Sequence, residues 1–236
     1  MTDHIRHRAI FNPDSFHYPV HVIGCGGMGS RVAEGLARMG VGIPEQSPIY
    51  LYDFDMFEAH NVANQWADVG DVGGWKAERV ARSMRCVNIG CEVTPHMVEV
   101  NEFMPLSGVV FICVDSMKAR RSIMENVVEK NPDVACVIET RMDAETGISH
   151  CFDPHDKRQS DCWWLYWHSD NEADNIGGCS QPQSIISAIY GTTMLALKQL
   201  EQFTRIGHTY EMANRVYQDY TTFSSTSEQW PHLTGE

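Results

Sequence analysis

The sequence predicts an α/β fold, a doubly wound and mainly parallel sheet. Three observations carry that prediction. Short apolar runs rich in β-branched residues alternate with segments of helical period between residues 19 and 139. A glycine-rich turn, HVIGCGGMGS at 21–30, joins the first such run to the first helical one. Acids then close two later runs, Asp53 and Asp115, where strand ends of a doubly wound sheet meet in one crevice.

Each element follows in turn. Residues 19–23 read as a strand, and 29–39 as a helix with Val32, Ala33, Leu36 and Ala37 on one face. Residues 49–53 are strand-like, and 74–86 return to a helix carrying Ala77, Val80, Ala81 and Met84. Residues 92–98 form a candidate strand, and GVVFICVD at 108–115 a buried one. A helix is expected at 118–130 and a strand at 134–139. From Arg141 to residue 183 aromatics and turn formers crowd together, which predicts an irregular insertion over one end of the sheet. A long closing helix over 184–203 follows, with Ile185, Ile186, Ile189, Leu197, Leu200 and Phe203. The organisation read from this is an N-terminal arm (1–17), one main domain (18–207) and a tail (208–236). The tail is expected to form one more helix, with its last ten residues frayed.

Composition narrows the function classes. At 236 residues, 43% hydrophobic and 21% charged, the chain has enough apolar surface for a core. A net charge of −13 argues against nucleic acid as a general partner, since phosphate neutralisation needs a basic face. The acidity is compatible with ATP, which needs only a few placed cations. No apolar run reaches the ~20 residues of a membrane helix, and no apolar h-region follows the first basic residues, so neither membrane nor secretion is expected. The eight cysteines show no framework spacing; Cys25, Cys113 and Cys136 lie in core-like stretches. Reduced thiols and a cytoplasmic location are the expectation.

The glycine turn, Gly24-x-Gly26-Gly27-x-Gly29, serves a dinucleotide or ATP equally well. The residues after it separate the two. Asp53, 24 positions beyond Gly29, suits a ribose anchor in either case. A hydride-transfer enzyme needs little more here, yet the chain continues with Asp55, Asn61, Asn64 and Gln65, then Lys76 in the first turn of a helix, then Asp115. A ribose acceptor, a phosphate cation and a carboxylate suited to Mg²⁺ converge on one crevice, which favours ATP.

In order and spacing, GCGGMG, DFD (53–55), NVANQ (61–65), VGGWK (72–76) and CVDSMKAR (113–120) resemble the ThiF/MoeB superfamily, the adenylating domain of ubiquitin-activating enzymes. The resemblance extends through GGCSQPQSIISAIYGTTMLALKQL and covers roughly residues 18–203. It implies a Rossmann-like domain in which Gly24, Gly26, Gly27 and Gly29 bring backbone against the nucleotide and Asp53 accepts from the ribose. Asp55, Asn61, Asn64 and Gln65 border the nucleotide, Lys76 steadies the phosphates, Asp115 holds Mg²⁺ and Arg120 orients that site. The implied reaction is attack of a carboxylate, typically a protein's C-terminal glycine, on the α-phosphate of ATP. Pyrophosphate leaves and an acyl-adenylate remains. The implied partners are a ubiquitin-like or sulfur-carrier-like protein and a second copy of the chain.

Two departures qualify this picture. Asn64 stands where the family pattern N-x-x-R-Q has arginine, and an amide lacks the charged fork of a guanidinium. Arg6, Arg8 and Arg141 are candidate replacements; the alternative is a nucleotide-binding module with weakened catalysis, and an NAD-dependent oxidoreductase is a further one. The chain also has no C-x-x-C pair, so zinc is not expected. A substitute site from His150, Cys151, His155, Cys162, His168 and Cys179 stands against scattered loop residues. Cys179 is either an acyl-accepting thiol or a buried structural one, and Trp163, Trp164, Tyr166 and Trp167 are either a partner surface or a plug closing the sheet.

Overall fold

The computed structural model describes residues 7–43, 47–170 and 185–231. One eight-stranded sheet runs through it: β1 (Val20–Ile23), β2 (Ile49–Tyr52), β3 (Val93–His96), β4 (Gly108–Ile112), β5 (Val134–Met142), β6 (Thr146–Phe152), β7 (Arg215–Asp219) and β8 (Ser224–Glu228). Their spatial order is β3-β2-β1-β4-β5-β6-β7-β8. The first five strands pair in parallel, and β6, β7 and β8 add antiparallel ladders. The chain first builds outward from β1 through β2 to β3, then returns to lay β4 on the other side of β1. That reversal between β1 and β4 is where an open sheet of this kind leaves a crevice at its strand C-termini.

The helices are α1 (Gly27–Met39), α2 (Lys76–Val87), α3 (Met117–Ile123), α4 (Lys157–Leu165) and α5 (Ile186–Ile206). The segment expected as one helix at 118–130 divides into α3 and a π-helical turn, Met124–Val128. Strand β4 is buried at every position, because both faces of the sheet are covered there. Val109 and Phe111 join one core with the apolar faces of α1, α2 and α5, while Val110 and Ile112 join a second with Ile123, Val127 and Trp163.

Two regions differ from the pattern read in the sequence. Within the stretch expected to be irregular, residues form β6 and α4, and Asp156 caps α4 through Arg158 and Gln159 N–H groups. The tail forms a β-hairpin, not a helix. Strand β7 pairs with β6 and β8 with β7, and Trp230 beyond them is buried. The hairpin carries almost no apolar alternation (RVYQD, SSTSE), since it lies at a sheet edge and is held by ladder pairing. Residues 232–236 lie outside the described residues.

Candidate active site

Strand β1 delivers the chain to Gly24, whose φ of 88° turns it sharply while its N–H donates to Tyr52 O at 2.8 Å. A Cβ on Gly24 would stand 3.0 Å from the Cys113 backbone, and one on Gly29 only 1.7 Å from the Gly24 carbonyl oxygen. Those two glycines are therefore required by the packing of turn, helix and neighbouring strand. Gly26 is different: nothing lies within 4 Å of the position its Cβ would take. It borders a crevice of about 650 Å³, together with Gly24, Gly27 and Met28. Helix α1 begins at Gly27, so its unpaired first N–H groups lie at this opening, an arrangement suited to an anion.

The opposite wall comes from the end of β2. Asp53 accepts from Cys25 N at 2.7 Å through Oδ2 and from Asp55 N at 2.8 Å through Oδ1. It is thereby fastened to the glycine turn. Burial pushes its carboxyl pKa up despite these donors. Lys76 opens α2, and its Nζ lies 3.0 Å from Asp55 Oδ2. Gln65 borders the crevice too, and its buried Oε1 has no hydrogen-bond partner among the described residues. Such an acceptor is ready for a ligand donor. Asn61 closes a capping box with Glu58 on a short 3₁₀ turn, and Asn64 ends that turn; both sit beside the crevice, not in its lining.

Asp115 follows β4 on an exposed turn and faces the same crevice, with no hydrogen bond or ion pair to the described residues. A carboxylate so placed is a hard oxygen donor of the kind Mg²⁺ takes. Arg120 reaches the lining, but its guanidinium is engaged by Glu139 and by the Val114 carbonyl. The crevice thus carries Asp53, Asp55, Glu99 and Asp115 against Lys76 and Arg120, each cation already bound to an acid.

Of the candidate replacements for the family arginine, Arg141 is buried on Glu139 and the Tyr166 carbonyl, outside the lining. Arg8 holds Asp14 and Asn12. Arg6 lies outside the described residues, as does Cys179. Three members of the substitute zinc set meet other partners. His150 meets Glu139 at 2.6 Å, Cys151 Sγ lies 3.4 Å from Cys136 Sγ, and His155 Nε2 contacts Asn131 O at 3.0 Å. Among the described residues, no three metal-ligating side chains cluster. Cys25 and Cys113, under the glycine turn, are buried thiols; burial pushes Cys113 up to about 11 and Cys25 well above the usual thiol range, which disfavours a thiolate at either.

The aromatic quartet is a plug. Trp163 is fully buried, Trp164 Nε1 donates to Glu129, Tyr166 OH to Glu228, and Trp167 Nε1 to the Met117 carbonyl. Glu99, after β3, and Glu139, inside β5, were not singled out from the sequence. The readable signal for Glu139 is an acid within an otherwise apolar strand, VACVIETRM.

Comparison with known proteins shows what the chain and its fold resemble. A 109-residue stretch is 34% identical to the Nedd8-activating enzyme E1 catalytic subunit of Drosophila melanogaster, covering 44% of this chain and 23% of that one. A 146-residue stretch is 27% identical to ubiquitin-like modifier-activating enzyme 5 of Caenorhabditis briggsae, covering 55% and 31%. The chain thus spans about a quarter to a third of these relatives' length. Among solved structures, the microcin C7 biosynthetic enzyme MccB in complex with N-formylated MccA superposes with a TM-score of 0.74 at 17% identity, over 93% of this chain and 67% of that one. Escherichia coli MccB with ATP gives 0.71 at 18%, over 93% and 66%. The ThiF family model matches residues 14–235, and with it the glycine turn, Asp53, Lys76 and Asp115 on one crevice: the chain belongs to the ThiF family.

Proposed function

We propose that this protein is an ATP-dependent adenylyltransferase that activates a carboxylate, the C-terminal glycine of a ubiquitin-like or sulfur-carrier-like protein. The observation that carries the reading is the convergence of glycine turn, Asp53, Lys76 and Asp115 on one crevice at the reversal of strand order. The α1 N-terminus and Gly26 take the phosphates, Asp53 and Gln65 the nucleoside, and Lys76 the charge that builds as the carboxylate attacks the α-phosphate. Asp115 would hold Mg²⁺, which neutralises phosphate charge when bound. The chain's own work is positioning and charge stabilisation, since the bond-making is between the two substrates.

The acids of the crevice support a metal-dependent mode: with both cations already paired, ATP meets a wall of net negative charge, and bound Mg²⁺ lowers that repulsion. The reading includes a homodimer acting in the cytoplasm; no helix among the described residues is long and apolar enough to cross a membrane. The test is calorimetry with ATP·Mg²⁺ and with NAD⁺, followed by ATP–pyrophosphate exchange with a candidate carrier protein. ATP binding with exchange supports the proposal, and NAD⁺ binding without ATP overturns it.

A second reading, a nucleotide-binding module with lost catalysis, is favoured by Asn64 and by the prior engagement of Lys76 and Arg120. ATP binding without pyrophosphate release would select it.

A further inference from the structure

We propose that Glu139, a fully buried acid outside the crevice lining, is a positioning residue that sets the aim of Asp115 through Arg120. The proposal rests on the adenylation reading and deepens it.

Glu139 sits on the inner face of β5, directly opposite His150 of β6. It accepts from Arg120, from Arg141 Nε at 2.8 and 3.1 Å, from Trp163 Nε1 at 3.4 Å, and contacts His150 Nδ1 at 2.6 Å. Stability alone is a weak account of such a cluster, because hydrophobic residues of equal volume often serve as well. Geometry does. The second arm of Arg120 donates to the carbonyl of Val114, the residue immediately before Asp115. Thr140, the residue after Glu139, donates to Cys113 Sγ at 3.7 Å. The turn that carries Asp115 is therefore tied to β5 at two points, both at residues 139–140 or their bonded partner. Asp115 has no described side-chain partner of its own, so its direction depends on how that turn is held. Burial alone would push the Glu139 carboxyl pKa up, but Arg141 and Arg120 hold it well below the usual range, so the anchor stays charged.

The experiment measures ATP affinity with and without Mg²⁺ on the full chain and takes the ratio as the magnesium gain. Glu139→Gln keeps the volume and removes the charge. Arg120→Lys keeps a cation beside Glu139 and loses the fork that also reaches Val114. Trp163→Phe is the control: it loosens the same cluster and leaves the Arg120 arm in place. Outer-shell changes of this kind cost about 10–100-fold in metal affinity. The expected result is a magnesium gain reduced by about that factor in Glu139→Gln and Arg120→Lys, with metal-free ATP affinity unchanged in Glu139→Gln, while Trp163→Phe keeps the gain. If Glu139→Gln does not fold, Arg120→Lys carries the test alone. A gain that persists in folded Glu139→Gln or in Arg120→Lys overturns the role, as does an equal loss in Trp163→Phe. A wild type that binds ATP with no magnesium gain overturns the metal assignment of Asp115 and this role with it, and a wild type that does not bind ATP overturns the adenylation reading itself.

Discussion

At the scale of single residues, the four glycines of the turn divide into two kinds. Gly29 is fixed by its neighbour, since an added Cβ would lie 1.7 Å from the Gly24 carbonyl oxygen. Gly29→Ala is expected to destabilise the fold by roughly 1–3 kcal/mol, the usual range for forced overpacking, read as a fall in urea midpoint. Gly26 has open space on its Cβ side and borders the crevice. Gly26→Ala should leave stability within about 0.5 kcal/mol yet weaken ATP binding, because the new methyl group occupies the path of the phosphates. Equal loss of stability in both variants would contradict the distinction. Asp115→Ala should lower pyrophosphate exchange by about 10²–10³ with an unchanged circular dichroism spectrum; exchange at the wild-type rate would remove Asp115 from the reaction. Asn64 closes the 3₁₀ turn beside the crevice, and neither Arg141 nor Arg8 reaches the lining in its stead. One more charge-assisted contact is worth roughly 1.5–3 kcal/mol, so Asn64→Arg should tighten ATP·Mg²⁺ binding by one to two decades in calorimetry.

At the scale of elements, the C-terminal hairpin is part of the sheet. Glu228 of β8 accepts from Tyr166 OH at 2.6 Å and from Arg215 at 2.8 Å, and Asn214 Oδ1 accepts from Trp230 N at 2.8 Å. Trp230 packs against His150, Phe152 and Tyr166. Trp230→Ala should therefore cost about 3–5 kcal/mol, as large aromatic truncations in cores do. A frayed tail would show almost no change, so chemical denaturation separates the two cases.

At the scale of the whole molecule, two buried histidines tie stability to pH. His21 in β1 accepts from Ser107 N at 3.2 Å through Nε2 and meets Tyr52 OH at 3.1 Å through Nδ1; burial, with His96 nearby, lowers its pKa to about 4. Burial lowers His150 to about 4 as well, against the pull of Glu139. In the unfolded chain both titrate near 6.5. The folded state thus refuses protons that the unfolded state accepts. Stability is full above pH ~6.5 and falls progressively as pH drops toward ~4, by roughly 3 kcal/mol per group at the limit. Glu139, held below the usual carboxylate range, adds a further loss at more acid pH. Urea midpoints measured from pH 7.5 to 4.5 should show this slope, and His21→Gln should flatten it; a slope unchanged in the variant would discharge His21 from the effect.

The sequence by itself determined the parallel half of the molecule and the crevice within it. There the signals are local: apolar runs buried on both faces, a glycine turn between strand and helix, and acids at strand ends, all set by backbone geometry that residues close in the chain enforce. It also offered Asp53, Lys76 and Asp115, expected together because strand C-termini and helix N-termini of such a sheet meet at one crevice. The tertiary structure decided the rest. The hairpin of β7 and β8 has no apolar period, because its stability comes from pairing with β6. The fate of the arginines could not be read either. Arg120 and Arg141 are identical as letters to solvent-facing or phosphate-binding cations, and only the meeting of β5, β6, α3 and α4 around Glu139 turns them inward. Charge is a property of the residue; whether it is spent on a ligand or on a neighbour depends on contacts between elements distant in the chain.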